Sequence, residues 1–496
     1  MRRARTVIDS DRLTRLLGHW LSGAGPLYRQ LADALRELIC RGELPMRTCL
    51  PPERSLAAAL AVSRSTVVAC YALLREEGWL ESRQGSGTYV CREPAEAGAG
   101  PVHHPRLLGL GRNPVFRGLT EQPPATIDFS VAAPPASPLV AEAVRAVNDD
   151  LTPDVLAGHG YAPAGIEPLR AAVAARFCAG GLATRPEQIL ITTGVQQALS
   201  LLCTLYLQPG DTAIVESPTY PGALEALRAA GAHVLSLPLD MGGARLDVLE
   251  ELLARGGVRL VYLTPTFNNP TGAVMSHLRR RRLAQLVRQA QVPLIEDTVL
   301  SEISLSDTAM PPHVAGLDGE SPVISVGSAS KTFWGGLRIG WIRASTHVIA
   351  RLIGLKSVAD LGTSILSQLA AARLVPHTSE AAAGRRVELQ ERLEALGGSL
   401  ARLLPEWQWQ APAGGLSLWV RLPAGDAAGF AQICERFGAT IVPGPVFSAG
   451  GEHRDCLRLP FTLPPELLCE GVHRMAAAWR SYVPAATPLQ PRQAVV

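Results

Sequence analysis

Apolar residues recur at helical spacing in the first ninety residues and are followed there by two short extended segments. Leu27–Cys40 carries apolar side chains every three or four residues and precedes Gly42, which predicts a helix that ends there. The prolines at 51 and 52 predict a turn into a short helix over residues 53–60, and Ser63 suits the N-cap of a third helix through Glu77. Segments 79–82 and 88–90, joined by a glycine-rich turn, predict a hairpin. Three helices and a hairpin are typical of a winged helix-turn-helix.

A different pattern begins near residue 127, where short apolar runs alternate with helical patterns. The predicted strands are residues 189–192, 212–216, 234–237, 260–263, 293–296 and 323–326. Helical patterns such as 195–206 and 221–230 separate most of them. The alternation is typical of an α/β domain with a mostly parallel sheet, whose ligands gather at the C-terminal ends of the strands.

The region between these two patterns lacks periodicity and is rich in Pro, Gly and Ala. A chain of 496 residues is too long for one hydrophobic core, so more than one domain is expected. We predict a first domain over residues 1–92, a flexible linker over 93–126, a large domain over 127–480 and a tail over 481–496.

Charge is distributed unevenly along the chain. Residues 1–92 hold 14 arginines and nine acidic residues, a net charge of +5, whereas the whole chain carries +3. A basic first domain indicates a polyanionic partner. The nine cysteines form no Cys-x-x-Cys pair and no cluster with histidines, which argues against structural zinc and disulfides. No segment approaches the roughly 18 apolar residues of a membrane span, so we predict a cytoplasmic protein without a metal site.

The first domain carries the side chains of a DNA-reading surface. The third helix begins with short hydroxyl groups and an arginine, at the end that enters the major groove in such domains. The hairpin tip suits the minor groove. The candidate DNA contacts are Arg54, Ser63, Arg64, Ser65, Thr66, Arg83, Gln84 and Gly85. The alternative at this point is a small helical dimerisation module with a charged solvent-facing side.

Lys331 is one of only two lysines among the 47 basic residues, the other being Lys356. An amine can form a Schiff base with a carbonyl cofactor, whereas an arginine guanidinium cannot. Lys356 lies in Gly-Leu-Lys-Ser-Val, which lacks the several hydroxyl and arginine groups that would bind an anion. The neighbours of Lys331 suit a phosphate, and they are Ser328, Ser330, Thr332 and Arg338. The alternative is a polar surface loop.

Other strand ends supply the remaining groups that a phosphorylated pyridine aldehyde needs. These are an anion cradle, a stacking ring, an amide donor for the ring phenolate and a carboxylate for the ring nitrogen. They correspond to the turn with Gly194, Val195 and Gln196, and to Tyr220, Asn269 and Asp297.

Two parts of the chain resemble known families. The series Leu-Pro-x-x-Arg-x-Leu-Ala, Val-Ser-Arg-x-Thr-Val, Glu-Gly-Trp-Leu and Gly-Ser-Gly-Thr-Tyr-Val, within residues 50–90, resembles the GntR type of bacterial repressor headpiece. The order of groups over residues 127–480 resembles the type I aminotransferase fold of pyridoxal-phosphate enzymes. Together they resemble the MocR family of pyridoxal-phosphate-dependent transcriptional regulators.

This resemblance implies roles for individual residues. Lys331 becomes the catalytic lysine that binds pyridoxal 5'-phosphate covalently, and Asp297 the partner of the pyridinium nitrogen. Tyr161 matches the tyrosine that reaches the phosphate in the neighbouring subunit of a homodimer, and Arg458 matches the arginine that binds a substrate carboxylate. Double-stranded operator DNA and a small amino compound are the implied partners.

One departure from the family concerns the phenolate side of the ring. The family usually has a tyrosine two or three residues after the aspartate, whereas Thr298, Val299 and Leu300 follow Asp297 here. This puts turnover in question more than binding. The principal hypothesis is a regulator that senses an amino compound or the cofactor. The alternatives are a catalytically active aminotransferase with a regulatory headpiece, and a body that only dimerises.

Overall fold

The computed structural model describes residues 7–18, 20, 26–40, 42–60, 62–83, 87–91, 115, 126–319 and 321–482. The chain divides into two compact units. Unit 1 takes the described residues up to Asp128, together with Leu422–Pro443 and the described residues from His473 onward. Unit 2 comprises Phe129–Arg421 and Gly444–Val472. Within the described ranges, no helix is long and apolar enough to cross a membrane.

The helices and strands are numbered along the chain. The helices are α1 Ser10–Leu17, α2 Leu27–Cys40, α3 Glu53–Ala59, α4 Arg64–Glu76, α5 Pro138–Asp150, α6 Pro153–Ala157, α7 Glu167–Ala179, α8 Val195–Tyr206, α9 Pro221–Ala229, α10 Leu246–Ala254, α11 His277–Ala290, α12 Thr346–Asp360, α13 Ile365–Leu374, α14 Thr378–Leu403, α15 Ala427–Arg436 and α16 Pro465–Ser481. The strands are β1 Cys49–Leu50, β2 Leu80–Arg83, β3 Gly87–Val90, β4 Ile127–Asp128, β5 Ile189–Thr192, β6 Thr212–Ser217, β7 His233–Asp240, β8 Gly243–Ala244, β9 Val258–Leu263, β10 Leu294–Asp297, β11 Val323–Ser328, β12 Gly340–Arg343, β13 Gln408–Trp409, β14 Ser417–Arg421, β15 Ala439–Thr440, β16 Val442–Pro443 and β17 Cys456–Pro460.

The beginning of unit 1 is the predicted winged helix-turn-helix. Ser63 caps α4 by accepting a hydrogen bond from the Thr66 N–H, because the first N–H groups of a helix have no partner within it. Gly78, at φ +76°, follows the end of α4. The Gly78 N–H donates a hydrogen bond to Arg75 O, and the Trp79 N–H donates to Leu74 O. The hairpin strands β2 and β3 form a sheet of order β1-β3-β2.

Two elements of this domain were not predicted. β1 is a two-residue strand that adds a third member to the hairpin sheet. Helix α1 begins after Asp9, whose carboxylate accepts from the Arg12 N–H at 2.7 Å, and ends at Gly18 with φ +52°. These cap residues are the sequence signal that could have located α1. Leu13 of α1 is fully buried in the same core as Leu31 and Leu56.

Unit 1 also contains α15, which contacts the helical domain. The Gln432 amide donates to Gly18 O at 3.0 Å, and the Arg436 guanidinium donates to Leu60 O at 3.0 Å. Gly18 and Leu60 are the C-caps of α1 and α3. Carbonyl groups at helix C-termini lack donors within the helix and favour cationic partners. The helical domain is therefore anchored at two helix ends by one face of α15.

Unit 2 is built on an eight-stranded sheet of order β5-β12-β11-β10-β9-β6-β7-β8. The pairs from β11 through β10, β9 and β6 to β7 are all parallel, whereas β12 and β8 are antiparallel to their neighbours. The predicted mostly parallel sheet is therefore confirmed. Each predicted strand is present, although β7 is longer than residues 234–237, and β6, β9, β10 and β11 differ by one or two residues at an end.

Both faces of this sheet are buried, which explains the nearly continuous apolar runs of its strands. Ile189 and Ile191 of β5 pack into one hydrophobic cluster, and Leu190 between them packs into the cluster on the other face. Since β6, β9, β10 and β11 run in the same direction, their C-terminal ends lie at one edge. Asp297 is the last residue of β10, and the segments that follow the other three strands carry Tyr220, Asn269 and Lys331.

Candidate functional site

Lys331 lies half-buried in the turn after β11. The Nζ atom donates to Ala132 O at 2.7 Å. Burial, together with the cations Arg458 and Arg338, lowers the pKa of Lys331 to about 8, and Asp297 opposes this shift. A depressed pKa gives the amine a sizeable neutral, nucleophilic fraction near neutral pH. The hydroxyl of Ser328 fixes the turn by donating to Ile339 O and accepting from the Ser330 N–H.

Asp297, at the end of β10, is 5 % exposed and accepts two hydrogen bonds. The Tyr262 hydroxyl donates to Oδ2 at 2.6 Å and the Val299 N–H donates to Oδ1 at 2.9 Å. Burial raises the pKa of Asp297, while the Tyr262 hydrogen bond and the nearby Lys331 act against the rise. A carboxylate held in this way can pair with a buried cationic nitrogen.

Tyr262 was not among the predicted site residues. It lies 35 residues before Asp297 and meets it because β9 and β10 are parallel neighbours, with Tyr262 opposite Ile295. Side chains two residues apart on a strand share a face, so Asp297 points to the same side of the sheet as Tyr262. The only sequence signal for this role of Tyr262 was its hydroxyl-bearing aromatic side chain in a largely apolar strand.

We expect Tyr262→Phe to destabilise the cofactor-free protein in a pH-dependent manner. Asp297 has a folded-state pKa above its ordinary value of 3.8, so its ionisation opposes folding once the pH rises above that value. Losing the Tyr262 donor raises the folded pKa further, which costs about 1.5–3 kcal/mol of unfolding free energy near neutral pH. The loss should shrink below a pH of about 4, where the carboxyl is protonated in both states.

Urea unfolding of the wild type and of Tyr262→Phe, once near neutral pH and once below a pH of about 4, measures this effect. Tyr206→Phe, at the end of α8, removes a hydroxyl outside the site and is the matched control. An equal loss of stability at the two pH values would show that the Tyr262 hydroxyl does not act through ionised Asp297.

The start of α8 forms an anion cradle. Gly194 has φ +109° and precedes the first turn of α8, whose N–H groups lack helical partners and favour anions. The Arg338 guanidinium donates to Thr193 O at 2.6 Å. A Cβ atom on Gly194 would lie 3.0 Å from that guanidinium, so glycine is required by both backbone and space. The Tyr220 hydroxyl donates to Gln196 Oε1 at 3.3 Å.

Tyr220 lies among the same charged groups as Lys331. Burial raises the pKa of Tyr220 to about 12, with Asp297 raising it and Arg458 and Arg338 lowering it. Residues from separate strand ends therefore share one site in unit 2. Its members among the predicted residues are Lys331, Asp297, Tyr220, Arg338, Arg458 and the Gly194–Gln196 turn.

Asn269 lies on a turn that two unpredicted residues hold. The Asn268 side chain is buried and donates to Glu216 Oε2 at 2.9 Å, and Glu216 also accepts from the Thr264 N–H at 2.8 Å. Burial raises the pKa of Glu216 to about 7. The half-buried side chain of Asn269 makes no hydrogen bond to any residue that the structure describes. It is available to a ligand, whereas Asn268 is not.

Arg458 of β17 is 2 % exposed. Its guanidinium donates to Ser130 O and lies 5.0 Å from the centroid of the Phe447 ring. A buried guanidinium next to an aromatic face suits a carboxylate.

Tyr161 lies away from these groups. It is 59 % exposed, and its N–H donates to His159 Nδ1 at 3.0 Å. Its predicted role toward a neighbouring subunit stays a prediction. After Asp297, Thr298 donates its hydroxyl to Val326 O at 2.8 Å, and Leu300 is buried.

The predicted DNA contacts lie in the helical domain of unit 1. Arg54, Arg64 and Ser65 are exposed. The Ser63 hydroxyl is within 2.8 Å of the Thr66 hydroxyl, so these two groups serve the cap of α4. Arg83 forms an ion pair with Glu81 and stacks over the Tyr89 ring at 5.2 Å. Gln84 and Gly85 lie outside the described residues.

Two protein-family models match the chain. The model for aminotransferase class I and II matches residues 128–475, and the model for bacterial regulatory proteins of the gntR family matches residues 27–90.

Regulators and enzymes both occur among the similar proteins. The HTH-type transcriptional regulator YisV of Bacillus subtilis is 30% identical over 452 residues, which is 88% of this chain and 92% of YisV. The 2-aminoadipate transaminase of Thermus thermophilus is 36% identical, covering 64% of this chain and 81% of the enzyme. The probable rhizopine catabolism regulatory protein MocR of Rhizobium meliloti is 34% identical over 64% of this chain and 65% of its own length.

Among solved structures, the alpha-aminoadipate aminotransferase LysN of Thermus thermophilus, complexed with N-(5'-phosphopyridoxyl)-L-leucine, superposes with a TM-score of 0.68. It is 32% identical and covers 74% of this chain and 95% of its own. The match to YisV extends over both parts of this chain, whereas LysN matches the aminotransferase part. The chain therefore belongs to the MocR-type transcriptional regulators, in which a GntR-type DNA-binding domain is joined to an aminotransferase class I and II domain.

Proposed function

We propose that this regulator binds pyridoxal 5'-phosphate at Lys331 and senses an amino compound or the cofactor itself, and that its headpiece binds double-stranded operator DNA in response. The observation that carries the proposal is the grouping of a half-buried amine of lowered pKa with a buried carboxylate and an anion cradle. A dimerisation scaffold has no need of such a grouping, because each buried ionisable group opposes folding.

The residues present fit this cofactor. When bound, it supplies an aldehyde for amines and a protonated pyridine ring that withdraws electrons. Lys331 is the amine, and Asp297 keeps the proton on the ring nitrogen. The Gly194, Val195 and Gln196 N–H groups, with Ser328, Ser330 and Arg338, hold the phosphate. Tyr220 supplies the stacking ring, Asn269 an amide donor and Arg458 the site for a ligand carboxylate.

The headpiece contacts follow from exposure at the start of α4. Arg64 and Ser65 are exposed there and Arg54 is exposed on α3, so base and phosphate contacts are open to them. Ser63 and Thr66 shape this end of the helix by capping it. Arg83, together with Gln84 and Gly85, is proposed to follow the minor groove.

Three further proposals complete the assignment. The protein acts as a homodimer in which Tyr161 reaches the phosphate of the partner, and its large exposed area leaves it available for this. We propose a cytoplasmic location because double-stranded DNA is the proposed partner. The working domains are residues 1–92, 93–126, 127–480 and 481–496, and the family matches at 27–90 and 128–475 support the two folded ones.

A second candidate is an active aminotransferase carrying a regulatory headpiece. The 36% identity with a 2-aminoadipate transaminase favours it. The residues after Asp297 argue against efficient turnover, since Thr298, Val299 and Leu300 offer no phenol beside the ring. Steady conversion of an amino donor and a 2-oxo acid would support this candidate.

The test measures operator affinity with and without ligands. DNA selected from a random pool by the full-length protein is titrated at fixed salt, first with cofactor-free protein, then with pyridoxal 5'-phosphate, then with added amino acids. Coupling between two sites typically amounts to about 1–3 kcal/mol, so the affinity should change roughly 5- to 150-fold. Equal affinity in all three states would contradict ligand control.

We expect Arg64→Ala and Arg54→Ala to act differently on the same DNA. Loss of a base contact at Arg64 should cost about 1–3 kcal/mol and reduce discrimination against non-cognate DNA. Loss of a phosphate contact at Arg54 should weaken binding to all sequences and lower the salt slope by about one. Arg255→Ala, an exposed arginine of unit 2, is the control. Unchanged affinity in both headpiece variants would contradict the assigned surface.

A further inference from the structure

Lys356, the second lysine of the chain, is completely buried on α12 and fully hydrogen-bonded. Its Nζ atom donates to both carboxylate oxygens of Asp360, at 2.9 and 2.7 Å, and to Gln197 Oε1 at 3.0 Å. Asp360 and the cation of Lys356 form an i, i+4 pair on the same helix. Gln197 comes from a different element, the first turn of α8, 159 residues away. The pair therefore reaches the helix whose start forms the anion cradle.

Gln197 connects this pair to the cradle itself. Its Oε1 atom accepts a hydrogen bond from the Thr193 N–H at 2.9 Å. On the other side of the same residue, Thr193 O accepts from Arg338 at 2.6 Å. The turn before Gly194 is thus held at one peptide group by Gln197 and at the next by Arg338. Both contacts are needed to fix the direction in which the N–H groups of the turn point.

The pair also decides which end of the Gln197 amide faces Thr193. The Asp360 carboxylate can only accept hydrogen bonds, and it accepts one from Gln197 Nε2 at 2.6 Å. The Lys356 ammonium can only donate hydrogen bonds, and it donates one to Gln197 Oε1. With the amide orientated by both partners, the remaining lone pair of Oε1 receives the Thr193 N–H. If the Gln197 amide were reversed, its NH2 group would face two other donors, the Thr193 N–H and the Lys356 Nζ atom.

We propose that Lys356 is a positioning residue for the phosphate cradle, acting with Asp360 through Gln197 on the turn at Thr193 and Gly194. The inference rests on the proposed function, because the cradle has a ligand only if a phosphorylated cofactor binds. Lys356 itself does not contact the ligand in this assignment. Its effect is confined to the phosphate end, whereas Lys331 and Asp297 act on the ring and its aldehyde.

The test compares two ligands that differ only in the phosphate group. Pyridoxal 5'-phosphate and pyridoxal both offer an aldehyde to Lys331, so a change in the ratio of their affinities between a variant and the wild type reports the contribution of the cradle. Lys356→Met should lower that ratio about 10- to 100-fold, the scale seen when residues that orient ligand-binding groups are lost in metal sites. The affinity for pyridoxal should stay unchanged. Inorganic phosphate should also compete less well with pyridoxal 5'-phosphate.

Two further variants distinguish the loss of the link to Thr193 from a general folding defect. Gln197→Met keeps the Lys356–Asp360 pair and removes the link to Thr193. The double variant Lys356→Met, Asp360→Leu replaces the pair by apolar side chains, which buried pairs often tolerate. Asp360 also accepts from the Gly362 N–H at 3.0 Å, so Gln197→Met is the more specific of the two. Arg373→Met, which breaks an ion pair with Asp150 elsewhere in unit 2, is the control.

A second readout uses the full-length protein without cofactor. Amide hydrogen exchange over residues 190–197 should be faster in Lys356→Met and Gln197→Met than in the wild type and in Arg373→Met. A purely structural role of the pair would weaken both ligands together, and that result would overturn the inference. A folded variant with the wild-type affinity ratio would do the same.

The wild type separates failure of the inference from failure of the function. If wild-type protein binds neither aldehyde at Lys331, the proposed cofactor function is wrong and the inference falls with it. If wild-type protein binds pyridoxal 5'-phosphate far better than pyridoxal and all folded variants keep that preference, only the role of Lys356 is wrong.

Discussion

Lys331→Ala is expected to abolish covalent attachment of pyridoxal 5'-phosphate to this protein. After borohydride reduction and digestion, the wild type should carry the cofactor on the peptide with Lys331, and the variant should carry none. The physical reason is that the chain has only one other lysine, and Lys356 is buried and bonded to Asp360 and Gln197. The cradle at Gly194 remains in the variant, so weaker non-covalent binding of the cofactor should persist.

The rate of attachment should depend on pH in a way that reports the environment of Lys331. Only the neutral amine attacks an aldehyde, and burial lowers the pKa of Lys331 to about 8. The observed rate should therefore rise with pH and level off above about 8, instead of rising toward the ordinary lysine value of 10.5. Stopped-flow absorbance of full-length protein mixed with pyridoxal 5'-phosphate measures this profile.

Lys331→Arg is the control because it keeps the cation next to Asp297 but cannot form the bond. It should show no attachment and near wild-type stability. Attachment that persists in Lys331→Ala, or that maps to the Lys356 peptide, would contradict the assigned site.

Arg458→Gln should show the second large effect, a loss of affinity for ligands that carry a carboxylate. Removing one partner of a buried, hydrogen-bonded charge pair typically costs about 2–5 kcal/mol, so binding of an amino acid to the cofactor-loaded protein should weaken at least about 30-fold. The corresponding decarboxylated amine makes no such pair. Its affinity should be nearly unchanged, and spectroscopic titration with both ligands gives the comparison.

Arg421→Gln is the matched control, since Arg421 lies on the neighbouring strand β14 and pairs with Asp455 near the surface. It should affect neither ligand. Equal weakening of the amino acid and the amine in Arg458→Gln would indicate that Arg458 maintains the shape of the site and does not bind the carboxylate.

Much of the fold was predictable because its signals are local. The helices over residues 27–40 and 195–206 and the strand over residues 189–192 have the predicted bounds. Their apolar spacing, caps and flanking glycines act within a few residues of each element. The prediction of Lys331 also rests on a local signal, since an arginine-rich chain leaves very few amines for a carbonyl cofactor.

Other features depended on which strands became neighbours. Tyr262 meets Asp297 because β9 lies beside β10 in parallel register, and nothing within either segment specifies that pairing. Asn268 differs from Asn269 chiefly through its hydrogen bond to Glu216, which lies about fifty residues earlier near the end of β6. These contacts are set by strand order, so local patterns do not specify which residues meet.

Lys356 shows most clearly the difference between what local sequence predicts and what tertiary packing decides. Its sequence neighbours lack the several hydroxyl and arginine groups that surround Lys331, and on that ground we predict Lys331 as the lysine of the site. The packing of α12 against α8 then brought Lys356 to Gln197, and with it to the turn at Gly194. The sequence by itself determined many of the elements and the GntR-type headpiece, and it predicts Lys331 as the reactive lysine, because these follow from short-range periodicity and composition. Only the tertiary structure decided the partners of Asp297, the anchor of Asn268 and the orientation of Gln197, because hydrogen bonds between distant segments exist only once the sheet and its helices have assembled.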